Sequence, residues 1–362
     1  MNQYNLQYPV MDNHCHICFP APLEDSVKEY RTLFAQLGIR EAGLLSCPAS
    51  SHADEDFDVL ENLKMLYLKE TLPIPCFAYA GFTWHTPDPR TNAEFGAQML
   101  EMGFDGFKTL EQHPRVRKLT GKSLADPSLE GFFELANANK NVMVCHVGDP
   151  VSSWDLSTAS QSAIEMGRVY ADGFLTLEML REEMETVIAR YPDMHFILAH
   201  FYFLSDAYAR VCRLLEEHPN VYLDLTPGTE MFFNFSKDPD LWREFFLRYS
   251  HRIIMGSDHY AQGYGAGRYR LVRNFLEGTE PFLLQDRQIQ PIGLPREALE
   301  NIYGKNVHRL LGKTPKPVNA HLAYAHGCRI RECYGDSLSP LAQENLEIML
   351  RFWSRKREEN LA

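Results

Sequence analysis

Residues 9–16, PVMDNHCH, are the stretch that decides the fold of this 362-residue chain. The apolar start predicts a short strand, and side chains two residues apart on a strand point the same way, so His14 and His16 share one face. An open, doubly wound sheet would normally carry a glycine-rich phosphate turn after its first strand. Because this strand ends in two histidines instead, the sequence favours a closed barrel over an open sheet.

Seven more apolar runs of strand length follow along the chain, separated by segments of helix length. Such alternation is typical of repeated strand–helix units, and eight of them predict an α/β fold, the (β/α)8 TIM barrel. The strands are predicted at residues 9–16, 41–47, 74–81, 106–110, 141–148, 195–200, 220–225 and 252–258. The helices between them are predicted at residues 26–37, 56–70, 92–102, 129–139, 175–190 and 205–218.

The chain continues beyond the eighth strand with three further helical patterns. Residues 296–311 should pack on the outside of the barrel, and GKTPKP at residues 312–317 is typical of a linker. Residues 319–334 and 339–359 follow as two appended helices. We therefore predict a catalytic TIM-barrel domain over residues 1–312 and a C-terminal helical extension over residues 313–362. The role expected of the extension is packing or subunit contact in a homo-oligomer.

Composition and charge exclude several classes of partner. The formal net charge of −12 argues against nucleic acid and acidic membrane surfaces, which attract basic proteins. No run approaches the ~20 apolar residues that span a bilayer. The first residues, MNQYNLQYPVMDNHC, lack the basic leader and apolar core of a secretory signal. We expect a cytoplasmic protein whose eight cysteines are mainly buried, reduced thiols.

Side chains that can bind a metal ion lie at the ends of four of the predicted strands. They are His14 and His16 in the first strand, His146 after VMVC, His200 after ILA and Asp258 after IIMGS. In TIM barrels the carboxyl ends of the strands meet at one rim, where active sites lie. One such histidine alone would more often be a hydrogen-bonded core residue. Several on the same rim predict a metal site.

These residue types suit one divalent ion with catalytic chemistry. Imidazole nitrogens and carboxylate oxygens bind Zn2+ well, with Mn2+, Fe2+ and Ni2+ as alternatives. A catalytic ion keeps one position open for water and lowers the pKa of that water to ~7. A neighbouring carboxylate can take a proton from the water and return it to a leaving group, and Asp258 is placed for this work.

The motif DNHCH at residues 12–16 resembles the D-x-H-x-H strand of the amidohydrolase superfamily. Three later signals match that superfamily's strand-five, strand-six and strand-eight positions in order: CH at residues 145–146, AH at 199–200 and GSD at 256–258. Their order and spacing look most like the amidohydrolase-2 branch, which includes relatives of aminocarboxymuconate semialdehyde decarboxylase. The resemblance covers roughly residues 8–312 and implies a metal-dependent TIM-barrel enzyme.

The resemblance also implies roles for the rim residues. By it, His14, His16, His146 and Asp258 bind one metal ion. His200 would then stay free as a catalytic residue, as in the mononuclear decarboxylase-like members, or would bind a second metal. We prefer the catalytic role for His200.

Because of Lys108, a site with two metal ions remains an alternative. It closes the strand-four run GFK at residues 106–108. In binuclear members of the superfamily a lysine at this position is carboxylated and bridges two metals. In the amidohydrolase-2 branch the same lysine also occurs unmodified, where it is implied to hold an anionic substrate group. A solvent-facing lysine with neither role is the third alternative.

Loops after the strands usually determine substrate choice in this fold. The predicted substrate-binding residues are Trp84, His85, Lys108, His113 and Arg115. Arg115 stands out because a guanidinium pairs bidentately with a carboxylate. Asp149 is a candidate acceptor for the second ring nitrogen of His146. The glycine-rich run GYGAGR at residues 263–268 is predicted to be a mobile loop over the site.

The leading interpretation is a hydrolase in which metal-activated water attacks an amide, ester or lactone of a small, carboxylate-bearing substrate. His200 or the metal would stabilise the oxyanion, and Asp258 would shuttle the proton. The same residues would serve a non-oxidative decarboxylase, so the motifs do not separate the two reactions. A third interpretation is an inactive metal-containing protein that binds partners. Its mark would be a missing ligand, and none is missing.

Overall fold

A computed structural model describes residues 4–5, 8–16, 21–47, 55–82, 91–260 and 265–359 of the chain. Nine strands form one parallel sheet in the order β8-β7-β6-β5-β4-β3-β2-β1-β9. The strands are β1 (Val10–His16), β2 (Ile39–Leu45), β3 (Cys76–Phe82), β4 (Gly106–Gln112), β5 (Val142–Val147), β6 (His195–Leu198), β7 (Val221–Asp224), β8 (Ile253–Ile254) and β9 (His259–Tyr260).

The two shortest strands close this sheet into a barrel. In β8, Ile253 pairs with Leu223 of β7, and in β9, His259 pairs with Cys15 of β1. Between them the carbonyl oxygen of Met255 accepts a hydrogen bond of 3.0 Å from the backbone N–H of Asn13. Residues 253–260 therefore join the last strand to the first, and the predicted TIM barrel is confirmed. The predicted eighth strand, residues 252–258, is split into two short pieces.

Helices surround the barrel and follow most of its strands. Those of the predicted pattern are α1 (Leu23–Leu37), α2 (Glu55–Thr71), α3 (Asn92–Met102), α5 (Glu130–Ala138), α7 (Leu177–Arg190), α8 (Tyr208–Glu217), α12 (Arg296–Glu300), α13 (Asn306–Leu311), α14 (Ala320–Tyr334) and α15 (Pro340–Glu359). A π-helical turn, Asn301–Lys305, joins α12 to α13.

Several elements were not predicted because they are short or lie inside long connections. These are α4 (Pro114–Thr120), α6 (Gln161–Glu165), α9 (Thr229–Phe235), α10 (Pro239–Arg248), α11 (Gly265–Glu277) and the hairpin of β10 (Phe282–Leu284) with β11 (Arg287–Ile289). The loop predicted at residues 263–268 is wrong from Gly265 onward, since α11 begins there. Residues 263 and 264 lie outside the described residues.

Alternating side chains build a layered core that supports the rim. In β5, Val142 and Val144 join a cluster of buried residues that also contains Phe77 and Ile197 from other strands. Met143 and Cys145, the residues between, belong to the larger core against the helices. His146 continues the parity of Val142 and Val144, so its side chain points toward the barrel interior at the strand's carboxyl end.

The predicted linker, residues 312–317, packs against the barrel. Gly103 ends α3 with a φ of 109°, and a Cβ there would lie 2.4 Å from the carbonyl oxygen of Pro317. The backbone N–H of Lys316 donates to the Asp105 carboxylate at 2.7 Å, and that of Asn319 donates to the Met102 carbonyl at 3.0 Å. These contacts need glycine at the end of α3, where both φ and space exclude a side chain.

The C-terminal helices pack on the barrel helices. α14 and α15 contact each other and α2. Asn345 of α15 accepts a hydrogen bond of 3.0 Å from the N–H of Leu23 and donates one of 3.1 Å to the carbonyl of Ala21, at the start of α1. The domain division between residues 312 and 313 stays a prediction. No helix in the described part of the chain is both long and apolar enough to span a membrane.

Replacing Trp353 with alanine should destabilise the whole protein. The Trp353 side chain is 1% exposed and belongs to the same buried cluster as the barrel helices. Truncating such a side chain costs about 3–5 kcal/mol of unfolding free energy. Urea unfolding should show one transition at a lower midpoint, whereas Leu283→Ala, at a residue 73% exposed, should change the free energy by less than about 0.5 kcal/mol. A separate early transition for Trp353→Ala alone would show that the extension folds independently.

Candidate metal centre

The carboxyl ends of the strands bring the predicted rim residues together. His14 and His16 end β1, and Asp258 lies between β8 and β9. The Nε2 atom of His16 is 3.4 Å from Oδ1 of Asp258, and the Nε2 atom of His14 is 3.8 Å from the same oxygen. These three buried side chains form one compact group of candidate ligand atoms, all within 4.8 Å of one another.

His200 and His146 extend this group along the rim. The His200 ring centroid lies 6.0 Å from that of His14 and 4.7 Å from that of His146. The Nε2 atom of His200 is 3.1 Å from Nδ1 of His146. His146 also belongs to a second compact group with His113 and Asp149. It therefore borders the His14, His16 and Asp258 group through His200.

Hydrogen bonds at Nδ1 fix the ring orientation of each β1 histidine. The Nδ1 atom of His14 lies 2.6 Å from Oδ2 of Asp224, and the Nδ1 atom of His16 lies 2.8 Å from the carbonyl oxygen of Leu45. Carboxylate and carbonyl oxygens only accept hydrogen bonds, so each Nδ1 donates. In the neutral imidazoles both Nε2 atoms then carry a lone pair, and both face a carboxylate oxygen of Asp258.

The second histidine pair repeats this arrangement. Nε2 of His146 donates to the carbonyl oxygen of Gly148 at 2.9 Å, and Nδ1 of His200 donates to that of Thr226 at 3.2 Å. The two nitrogens that face each other therefore both carry lone pairs. Two acceptors that face each other at 3.1 Å are stabilised by positive charge nearby, so a divalent metal on Nδ1 of His146 suits this pair. The donor set fits a divalent metal.

Burial and neighbouring charges set different protonation states for these groups. Burial lowers the pKa of His14 to about 4 and that of His146 to about 3, which keeps both imidazoles neutral. Burial works against the charge on Asp258, but its contacts with His16 and the neighbouring histidines hold its pKa well below the usual range. For His16, burial lowers the pKa but nearby Cys47 and Asp258 raise it to about 10, so the imidazole holds a proton that a bound metal ion would displace.

Asp224, at the end of β7, is a site residue to which the sequence analysis assigned no role. Its Oδ2 holds His14, and its Oδ1 accepts a hydrogen bond of 2.8 Å from the backbone N–H of His200. Burial opposes its charge, yet His14 lowers the pKa of Asp224 to about 2. One buried carboxylate thus orients two rim histidines. The only sequence signal is its position at the end of an apolar run, Val221–Asp224.

Replacing Asp224 with asparagine should weaken metal binding. The amide loses the charge that holds the Nδ1 proton of His14 and can present its NH2 group instead, which misorients the ring. Removal of such a supporting carboxylate typically costs 10–100-fold in metal affinity. Competition against a chelating dye measures the affinity, with Asp240→Asn on the exposed face of α10 as the matched control. Equal affinities of the two variants would contradict this role.

Two further side chains hold Asp258 in place. Asp12 accepts a hydrogen bond of 3.0 Å from the backbone N–H of Ser257 and another from its hydroxyl group. Arg268 of α11 donates to Oδ2 of Asp258 at 2.7 Å and to its carbonyl oxygen at 3.0 Å. Asp258 itself has a φ of 54°, a conformation that residues other than glycine seldom adopt. These contacts direct Oδ1 toward the histidines.

Lys108 lies inside the site. Its side chain is 1% exposed, and Nζ is 3.5 Å from Nε2 of His14. The solvent-facing alternative for Lys108 is therefore wrong. In the part of the chain that the structure describes, no carboxylate lies within ion-pair distance of Lys108. A buried ammonium without such a partner favours an anion beside it.

The predicted substrate-binding residues are placed unequally. His113 caps α4 by accepting a hydrogen bond of 3.3 Å from the N–H of Arg115, and its Nε2 is 3.4 Å from Asp149. Arg115 is exposed on α4. Asp149 was a candidate partner for His146, but its oxygen is 3.9 Å from Nε2, too far for a hydrogen bond, and the Gly148 carbonyl accepts instead. Trp84 and His85 lie outside the described residues.

His200 stands on an unusual turn. The strand predicted at residues 195–200 stops at Leu198, and Ala199–Phe203 forms a tight helical turn. His200, Phe201, Tyr202 and Phe203 all have φ between 52° and 57°. Left-handed backbone costs about 1–2 kcal/mol for each such residue, so the surrounding structure must stabilise it. No glycine marks this turn, so the sequence gives no signal for it.

A cavity adjoins this turn on the rim. It has a volume of about 170 Å³ and is lined by residues that follow β5, β6 and β7, among them Phe203, Ser205 and Glu230. The Phe203 ring stacks on His200 with centroids 5.3 Å apart. The cavity thus provides space for part of a small molecule next to His200.

A closed parallel barrel whose carboxyl-end rim gathers histidines and carboxylates defines a metal-dependent TIM-barrel enzyme. Residues 12–313 match the family model described as amidohydrolase, and the chain belongs to this family. The predicted resemblance and the prediction of an enzyme are confirmed. Among curated proteins, none matches the chain in sequence.

Several solved structures share the fold. The 4-oxalomesaconate hydratase from Rhodopseudomonas palustris is 13% identical, with a TM-score of 0.53 over 83% of this chain and 95% of that chain. The 2,6-dihydroxybenzoate decarboxylase from Rhizobium is 13% identical, with a TM-score of 0.52 over 84% and 99%. The 5-carboxyvanillate decarboxylase from Sphingomonas paucimobilis is 13% identical, with a TM-score of 0.50 over 84% and 98%. At these identities the likeness establishes the fold.

Proposed function

We propose that this protein is a metal-dependent hydrolase acting on an amide, ester or lactone of a small, carboxylate-bearing substrate. The observation that carries the proposal is the convergence of imidazole lone pairs and a carboxylate oxygen on one region of the rim. The proposed ligands of one divalent ion are His14, His16, His146 and Asp258. Zn2+ is the ion that best suits this donor set, with Mn2+, Fe2+ and Ni2+ as alternatives.

A divalent ion held there would supply an activated water and polarise the substrate carbonyl. Asp258, kept ionised by Arg268 and the histidines, would accept a proton from the attacking water and return it to the departing nitrogen or oxygen. His200 is neutral, because burial lowers its pKa, and its Nε2 lone pair can accept a hydrogen bond from the water. Lys108 would pair with the substrate carboxylate.

A non-oxidative decarboxylase on the same residues is the second candidate. The buried ammonium of Lys108 favours it, because such an enzyme must hold a carboxylate near the metal. Two of the structures with the same fold are decarboxylases of aromatic acids. The reaction needs a protonated acid to deliver a proton to the carbon that loses CO2. Both reactions use the same rim residues, so substrate screening must separate them.

We propose a small-molecule substrate, a cytoplasmic location and a homo-oligomer that binds neither nucleic acid nor membranes. His113, Arg115, Trp84 and His85 remain proposed substrate contacts. A second metal bridged by a carboxylated Lys108 is the alternative to a mononuclear site.

Substrate screening on the metal-loaded protein separates the two reactions. The hydrolysis probes are p-nitrophenyl acetate, a lactone and an N-acyl amino acid, and the decarboxylation probes are 2,6-dihydroxybenzoate and 5-carboxyvanillate. We expect hydrolysis that falls at least ~100-fold after chelation and returns with Zn2+. Release of CO2 without hydrolysis would select the decarboxylase. Hydrolysis that survives complete removal of metal would overturn both candidates.

A further inference from the structure

We propose that Arg181, on α7, is a positioning residue that holds the left-handed turn carrying His200. This inference rests on the catalytic role proposed for His200. Arg181 does not reach the rim group itself. It would act through the backbone that presents the His200 ring.

The turn needs support from outside itself. Four consecutive residues, none of them glycine, have φ near 55° in residues 200–203. L-residues adopt this conformation singly and rarely, and a run of them persists only where other contacts over-determine it. The carbonyl of Phe201 accepts from the N–H of Leu204 at 3.1 Å, whereas those of Tyr202 and Phe203 face a side-chain donor on α7.

Arg181 supplies that donor. Its Nη2 atom donates to the carbonyl oxygens of Tyr202 at 3.1 Å and Phe203 at 2.9 Å. The guanidinium carbon lies 5.5 Å from the centroid of the Tyr202 ring, and the Tyr202 hydroxyl donates back to the Arg181 carbonyl at 3.4 Å. The turn and α7 are thus joined by three hydrogen bonds and a ring contact.

Arg181 is placed for this role and not for a surface ion pair. Its side chain is 7% exposed. The nearest carboxylate, Glu178, is 3.9 Å away and is bound closely by Arg210. The closest acceptors of the Arg181 guanidinium are therefore the two carbonyl groups of the turn. The two hydrogens of Nη2 serve both carbonyls at once.

The turn is held at both ends. Asp224 accepts from the backbone N–H of His200 at its start, and Arg181 binds the carbonyls at its end. Without Arg181 the last residues can relax to ordinary backbone conformations, which would rotate the His200 ring away from His146. The four proposed ligands have supports of their own. Asp224 holds His14, the Leu45 carbonyl holds His16, the Gly148 carbonyl holds His146 and Arg268 holds Asp258, so the metal should stay bound.

The test compares Arg181→Met and Arg181→Lys with Arg210→Met, which removes a neighbouring arginine that does not touch the turn. With p-nitrophenyl acetate as probe, we expect kcat of Arg181→Met to fall about 10- to 100-fold while KM and metal content stay unchanged. Arg181→Lys should recover part of this loss, and Arg210→Met should retain the original kcat.

Two readouts separate positioning from a general structural role. In protein with 15N-labelled histidine, the His200 ring nitrogens should lose the shifts of a single tautomer in Arg181→Met and keep them in Arg210→Met. This readout needs no turnover, so it decides the inference even if the proposed reaction is wrong. The double variant Arg181→Met/His200→Asn should have a kcat less than about twofold below that of His200→Asn alone. The two losses should not add, because both substitutions act through the His200 imidazole.

Unchanged His200 shifts in a folded Arg181→Met, or fully additive losses in the double variant, would overturn the inference. If Arg181→Met does not fold, the same shifts in Arg181→Lys decide the question. A fall in metal content for either variant, with His200 unmoved, would also overturn it.

Discussion

Replacing His14 with alanine is expected to release the metal and abolish turnover. The substitution removes one converging lone pair and leaves the Asp224 carboxylate, 2% exposed, without the imidazole that it binds at 2.6 Å. A buried charge that loses its partner is unfavourable, so the neighbouring side chains should shift and the site should not keep its original geometry. If the ion contributes about 4 kcal/mol to the stabilisation of the transition state, its loss lowers kcat/KM ~1,000-fold.

The measurement combines elemental analysis of the purified variant with kcat/KM on the substrate found by screening. His321→Ala, at an exposed histidine of α14, is the matched control and should keep both values. A His14→Ala protein that is folded, retains a full equivalent of metal and turns over normally would exclude His14 from the metal centre.

Replacing His200 with asparagine should also give a large effect, with a different signature. We expect metal content to stay at one equivalent while kcat falls ~100- to 10,000-fold, the usual contribution of a general acid–base group. Asparagine tolerates left-handed backbone better than most residues, so the turn at residues 200–203 should persist. The loss would then report the imidazole and not the turn.

The metal count of this variant also decides the role of His200. A drop from two equivalents to one would identify His200 as a ligand of a second ion and favour the binuclear alternative with a carboxylated Lys108. Unchanged kcat with one equivalent of metal would contradict a catalytic role for His200 altogether.

The fold could be predicted because its strands are coded locally. The run VMVCH in β5 is apolar until its last residue, and parallel strands buried on both faces have this composition. The site residues could be predicted from the same local pattern, since His14, His146 and Asp258 each interrupt or end such an apolar run at the same rim. Short helices such as α4 and α9 were not predicted, because they lie inside connections whose apolar residues show no clear helical period.

The partners of the site residues could not be predicted, because they depend on long-range contacts. Asp224 meets His14 across 210 positions of sequence, and Arg181 meets the turn at Tyr202 from another helix. The left-handed turn itself has no glycine to announce it. Arg268 was assigned to a loop, yet it stands on α11 and binds Asp258.

The most direct test of the metal centre is an anomalous difference map from crystals of the metal-loaded protein, recorded on both sides of the absorption edge of the bound ion. We predict one peak in contact with His14, His16, His146 and Asp258. A protein that binds metal elsewhere, for example between His113 and Asp149, or that shows no ordered ion on the rim at full loading, would contradict it.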